Sequence, residues 1–218
     1  MDSTPNIGVQ LYNYVTGHTE ELLELTMQHI AMVLCGLGLA LVVGIPLGII
    51  SAKYKKWGAF ILQAANVIQV FPSLALLAIL MIVFGLGFYT VVIGLFLYSL
   101  LPIIRNTYVG LTQVDRSVTD AGVGMGMSAL QLLWRVQMPL SVPFLLAGLR
   151  VAAVIAIGVA TMAPLIGGDG LGREIYAGIN LRNPVRIYAG AIPAALLAIM
   201  ADMALGRLQK KRNTVSGV

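Results

Sequence analysis

The stretch DAGVGMGMSALQLLWRVQMP, Asp120 to Pro139, carries the most specific chemistry in the sequence, and that chemistry is docking. Asp120 offers a charge to a basic partner residue, and Gly126 suits the left-handed turn that lets backbone approach a neighbour closely. Met125, Met127, Leu130 and Trp134 offer apolar contact area, with Met able to adapt to a groove that changes shape. Nothing comparable supports bond-making. His18 and His29 are the only histidines and neither has metal-ligand spacing. No G-x-x-x-x-G-K-[ST] phosphate loop occurs, so no nucleotide cofactor is expected in this chain. The Gly-rich run GGDGLGREI, Gly167 to Ile175, follows an apolar span and has no strand before it.

The elements that must position this stretch are membrane spans. Of 218 residues, 58% are hydrophobic and 11% charged, against about 25% charged in soluble domains. Mean hydropathy is +0.89. Ile30 to Ala52 is an uncharged run closed by Lys53, Lys55 and Lys56. Trp57 to Ile104 is also uncharged, too long for one span of about 20 residues and right for two, with GLGFY, Gly85 to Tyr89, as the turn between them. Pro72 is expected to kink the first of these two. Further spans are expected over about Ser141 to Ile166 and Ile187 to Leu205, which makes five transmembrane helices in an all-α integral membrane protein. Residues 1–27 then form an outer N-terminal segment that lacks a cleavable signal, 28–206 the transmembrane domain and 207–218 a basic tail.

Basic residues orient the spans. With the N-terminus outside and the C-terminus inside, Lys53, Lys55, Lys56, Arg105, Arg116, Arg135, Arg207, Lys210, Lys211 and Arg212 all fall on the inner side. Only Arg173, Arg182 and Arg186 remain outside, in a loop over about 167–186. The net charge of +5 is therefore a matter of topology; the bases form no single stripe for nucleic acid. Asp202 is expected either to pair near Arg207 or to serve transport.

This orientation puts residues 117–139 in the cytoplasm. Ser117 with Asp120, and Ser128 with Gln131, both have capping-box spacing, so two short helices are expected about a turn at Gly126. Pro139 is expected to close the second helix before the next span. The alternatives are a docking element and a plain linker packed on the chain's own spans.

The stretch resembles the cytoplasmic coupling motif of ATP-binding-cassette importer permeases: E-A-A, three residues, G, nine residues, I, any, L, P. Asp120, Ala121 and Gly122 stand at the E-A-A positions, then Gly126, Val136, Met138 and Pro139 follow at matching intervals. The departures are Asp for Glu, Gly for the second Ala, Val for Ile and Met for Leu. A wider resemblance covers about 170 residues through QVFPSLALLAIL, LYSLLPIIRNTYVGLTQVD and APLIGGDGLGREIYAGI. It is to osmoprotectant permeases, which import glycine betaine, carnitine and choline.

The resemblance implies the five-helix, MetI-like core of a type I importer in a bacterial cell membrane. It implies coupling through those seven residues to ATPase subunits that bind ATP–Mg. It further implies a second permease, identical or homologous, and an extracellular solute-binding lipoprotein, all among membrane lipids. Quaternary ammonium is held by aromatic faces, and Phe71, Pro72 and Tyr98 are the candidate pathway residues; belts and packing are the other use of aromatics. Permeases of the same superfamily for another solute, such as an amino acid, or a solitary ion-coupled transporter, are the alternative functions.

Overall fold

The computed structural model describes residues 6–216, and among these there are helices and turns but no strand. Ten α-helices follow in order: α1 (Ile7–Gly17), α2 (Thr19–Lys53), α3 (Lys55–Val70), α4 (Ser73–Phe84), α5 (Phe88–Thr112), α6 (Arg116–Gly124), α7 (Ala129–Leu132), α8 (Met138–Ala160), α9 (Gly172–Asn180) and α10 (Pro184–Ser216). In lipid every backbone polar group must be paired within its own segment, which is why so apolar a chain is built this way. Thr19–Lys53, Phe88–Thr112, Ala129–Ala160 and Pro184–Arg212 are each long and apolar enough to cross a membrane; the broken pair α3–α4 is a fifth if it crosses as one.

Three expectations about the spans change. The first long helix starts at Thr19, eleven residues before Ile30, and α1 precedes it. Pro72 does not kink a helix: it breaks one, standing as N-cap of α4 after α3 has ended at Val70. Proline disfavours the helical conformation at the residue before it, and here the chain does break at Phe71, whereas α2, α5, α8 and α10 each carry a proline through. The stretch after α8 is neither plain span nor plain loop, since Ala163–Ile166 forms a 3-10 turn and Gly172–Asn180 a helix.

The chain forms two compact units, and α2, α5, α8 and α10 lend residues to both. One unit comprises residues 1–36, 71–96 and 154–200. Its interior holds Leu25, Met32, Leu77, Val91, Leu95, Ile166 and Leu171, all nearly fully buried. Small residues allow close approach, as where a Cβ on Gly36 would stand 2.7 Å from Leu95. The other unit comprises residues 37–70, 97–153 and 201–218. There α2 meets α5 at Gly44 and Gly48, facing Ile103 and Thr107, while α5 meets α8 at Gly110 and Gly148. A Cβ on Gly148 would come within 2.7 Å of the Pro102 carbonyl, so backbone itself lies in the contact.

Candidate functional site

The candidate docking element is built from its caps inward. Asp115, not Ser117, is the N-cap of α6: its Oδ1 accepts from the Ser117 backbone N–H at 2.8 Å. The expected capping box from Ser117 to Asp120 is therefore absent, because the N-cap lies two residues earlier and the helix starts at Arg116. Those bonds from Ser117, backbone first and hydroxyl second, hold the Asp115 carboxyl below the usual carboxylate range.

At its far end α6 closes as a Schellman motif. Met127 N–H donates to the Gly122 carbonyl at 3.1 Å and Gly126 N–H to the Val123 carbonyl at 2.9 Å. Gly126 takes φ of 78°, the left-handed conformation expected from the sequence. Ser128 then forms the expected capping box on α7: Gln131 N–H reaches Ser128 Oγ at 3.3 Å, and Ser128 N–H reaches Gln131 Oε1 at 2.9 Å.

Pro139 behaves otherwise than expected. It does not end a helix, because α7 runs through a π-helical turn at Leu133–Gln137 directly into α8. Proline lacks an N–H and its ring crowds the carbonyl four residues back, here that of Arg135. The wider π turn places this relief immediately before the proline, so Ala129–Ala160 is one 32-residue rod.

The seven motif positions separate by exposure. Asp120 and Ala121 face outward at the surface, as does Pro139; Val136 and Met138 are half-buried. Gly122 is buried, and a Cβ there would come within 2.6 Å of Leu132, so this position packs the turn against itself. Met125, Leu130 and Trp134 are 72%, 66% and 56% exposed, whereas Met127 is half-buried beside Gly122. Met127 thus packs within the element itself, and the other three leave most of their surface open. Where the element meets the ends of α2 and α5, a cavity of about 470 Å³ opens, lined by Lys53, Leu111, Thr112, Leu130, Leu133 and Gln137 among others.

The candidate pathway residues fall in different compact units. Phe71 and Pro72 are exposed members of one unit; Tyr98 is a member of the other and only 4% exposed.

Two charged constellations escaped the sequence reading. Glu174 on α9 is 1% exposed and receives three bonds: Tyr14 Oη at 2.6 Å, and Arg186 Nε and Nη2 at 3.0 and 2.7 Å. Burial works to raise its carboxyl; the Arg186 and Tyr14 bonds outweigh burial and hold it below the usual range. Burial and the same carboxylate push the Tyr14 phenol up to about 12. This cluster fastens α1 to α9 and α10. The second is Arg150 on α8, which grips Asp202 on α10 through Nε and Nη2, both at 2.9 Å. For Asp202 the sequence offers a pairing near Arg207 or a role in transport; it is paired, but with Arg150, 52 positions away, and no local spacing signals such a pair. Among the described residues, no three potential metal ligands come together.

With this geometry in view, likeness to known proteins is decisive. Residues 44–214 match the family described as "Binding-protein-dependent transport system inner membrane component". The chain belongs to that family. Such permeases include the glycine betaine/carnitine/choline transport system permease protein OpuCD of Bacillus subtilis, 44% identical over 92% of this chain and 88% of its own length. The carnitine transport permease protein OpuCD of Listeria monocytogenes is 44% identical over 94% of this chain and 93% of its own. The choline transport system permease protein OpuBD of B. subtilis is 41% identical over 96% of this chain and 93% of its own. A solved inward-facing form of the MetNI methionine ABC transporter superposes with a TM-score of 0.79 at 18% identity, covering 88% of this chain and 95% of that one. That likeness establishes the shared MetI-like fold of a type I importer permease core. The permease is thus a multi-pass membrane transport protein, and it is not itself an enzyme.

Proposed function

We propose that this permease forms the translocation path of an ATP-driven importer of osmoprotectant quaternary amines, namely glycine betaine, carnitine and choline. The observation that carries the reading is identity of 41–44% over nearly the whole chain to permeases whose names specify those solutes. Separate ATPase subunits bind ATP–Mg and dock on Arg116–Pro139, with Asp120, Ala121, Met125, Leu130 and Trp134 facing them. Exposure of an apolar surface beside a carboxylate, on a turn stiffened at Gly126 and Ser128, supports this. Movement of that surface passes into α8 without an intervening loop, since Ala129–Ala160 is continuous. A second permease, identical or homologous, completes the path, and an outer solute-binding lipoprotein delivers solute to the side carrying α1 and α9. The N-terminus is then outside and the tail inside.

The test is uptake of radiolabelled glycine betaine, carnitine and choline by the full complex in vesicles, with and without internal ATP. ATP-dependent accumulation of at least one solute is expected. Concentrative uptake by this chain alone, driven by an ion gradient, would overturn the reading. In the same assay Gly126→Pro and Asp120→Lys are expected to insert normally and lose ATP-dependent transport.

A further inference from the structure

We propose that the Arg150–Asp202 pair is the link that makes α10 follow the coupling element, so that both are positioning residues for transport. The inference rests on the reading of Arg116–Pro139 as the site where an ATPase pushes.

Arg150 sits on the rod Ala129–Ala160, whose first turns belong to the docking surface. Its guanidinium makes three directed bonds to α10. Nε donates to Asp202 Oδ1 at 2.9 Å, Nη2 to Asp202 Oδ2 at 2.9 Å, and Nη1 to Gln209 Oε1 at 3.1 Å. Asp202 and Gln209 are seven positions apart, which on a helix of about 3.6 residues per turn puts them on one face, two turns from each other. Gly206 lies between them, and a Cβ there would stand 3.2 Å from the guanidinium carbon. The flat group therefore rests against bare backbone and holds two turns of α10 at once.

Neutralising a carboxylate in an apolar segment would need no such fit, since a single ammonium suffices. A planar fork with fixed directions does more: it sets the angle and axial register between two helices. Rotating or sliding α10 against α8 breaks all three bonds together. The two helices thus respond as one body to a force applied at α7.

The experiment uses the complete importer in liposomes, with spin labels on α8 and α10 flanking the pair. Three quantities are read: radiolabelled glycine betaine moved per ATP hydrolysed, the interlabel distance with and without ATP, and retention of the ATPase on purification. In the unaltered protein the distance is expected to stay constant through the ATP cycle. Arg150→Lys keeps the charge and loses the fork; Arg150→Leu with Asp202→Leu removes both charges and inserts readily. Both are expected to retain the ATPase and its hydrolysis, to lower solute per ATP at least tenfold, and to make the distance ATP-dependent. The exchange Arg150→Asp with Asp202→Arg is expected to recover part of the loss.

Full stoichiometry in the double leucine variant would overturn the proposal and leave the pair as charge neutralisation only. An ATP-dependent distance in the unaltered protein would overturn it as well, whatever the variants do. Failure of the coupling reading is seen separately, as intact ATP-dependent transport in Gly126→Pro.

Discussion

At the scale of single residues, Glu174 is the most consequential side chain outside the docking element. It is buried, charged and triply bonded, and removal of one partner from such a pair costs about 3–5 kcal/mol. Its carboxyl is lowered in the folded state, so the stability it lends is present above the ordinary glutamate range. That contribution is lost as pH falls below about 4.3 and through the folded value. Tyr14 is raised to about 12, so its contribution holds below about 10 and is lost as pH climbs through 12. Hydrogen exchange of the α1 amides is therefore expected to show a protected plateau bounded on both sides, with Glu174→Gln flattening the acid boundary and Tyr14→Phe the alkaline one. A Gly126→Ala change tests a backbone term instead. Holding a non-glycine residue at φ of 78° costs about 1–2 kcal/mol, and faster exchange confined to residues 122–128 is the expected sign.

At the scale of elements, the capping box at Ser128 stabilises a helix too short to persist alone. Losing the Ser128 hydroxyl is expected to cost about 1 kcal/mol. Ser128→Ala should fray α7, seen as raised exchange at Ala129–Leu132, while α8 stays protected. Such features were legible in sequence because they are local: Ser128 with Gln131, and the left-handed glycine, each depend on residues a few positions apart. The long apolar runs were legible for a related reason, since lipid imposes one length and one composition on every span. Helix edges set by competition were not. Asp115 and Ser117 are both capping residue types two positions apart, and the structure uses Asp115. Pro139 read as a terminator because a proline removes an α-helical bond, and sequence gives no sign that a π turn absorbs the loss. The pairs Glu174–Arg186 and Arg150–Asp202 were invisible because they are properties of packing between helices, carrying no periodicity of their own.

At the scale of the molecule, α2, α5, α8 and α10 all have residues in both compact units. A close glycine contact in one unit is therefore a constraint on a helix that continues into the other. Gly148→Leu is expected to overpack the α5–α8 contact by about 1–3 kcal/mol, and the readout is the melting temperature of the purified complex. The basic tail is a different matter. On the proposed orientation Arg207, Lys210, Lys211 and Arg212 lie on the inner side and serve topology alone, so replacing all four with Gln is expected to leave the salt dependence of transport unchanged. A shifted salt threshold would assign the tail a sensing role through anionic lipid.

The π turn at Leu133–Gln137 inserts one residue into an otherwise regular coil. One residue is about 100° of rotational phase on a 3.6-residue helix. The azimuth of Leu130 relative to everything beyond Met138 is thus dialled by a single supernumerary position, and a one-residue deletion there would swing the apolar surface to a new compass bearing while leaving its composition untouched.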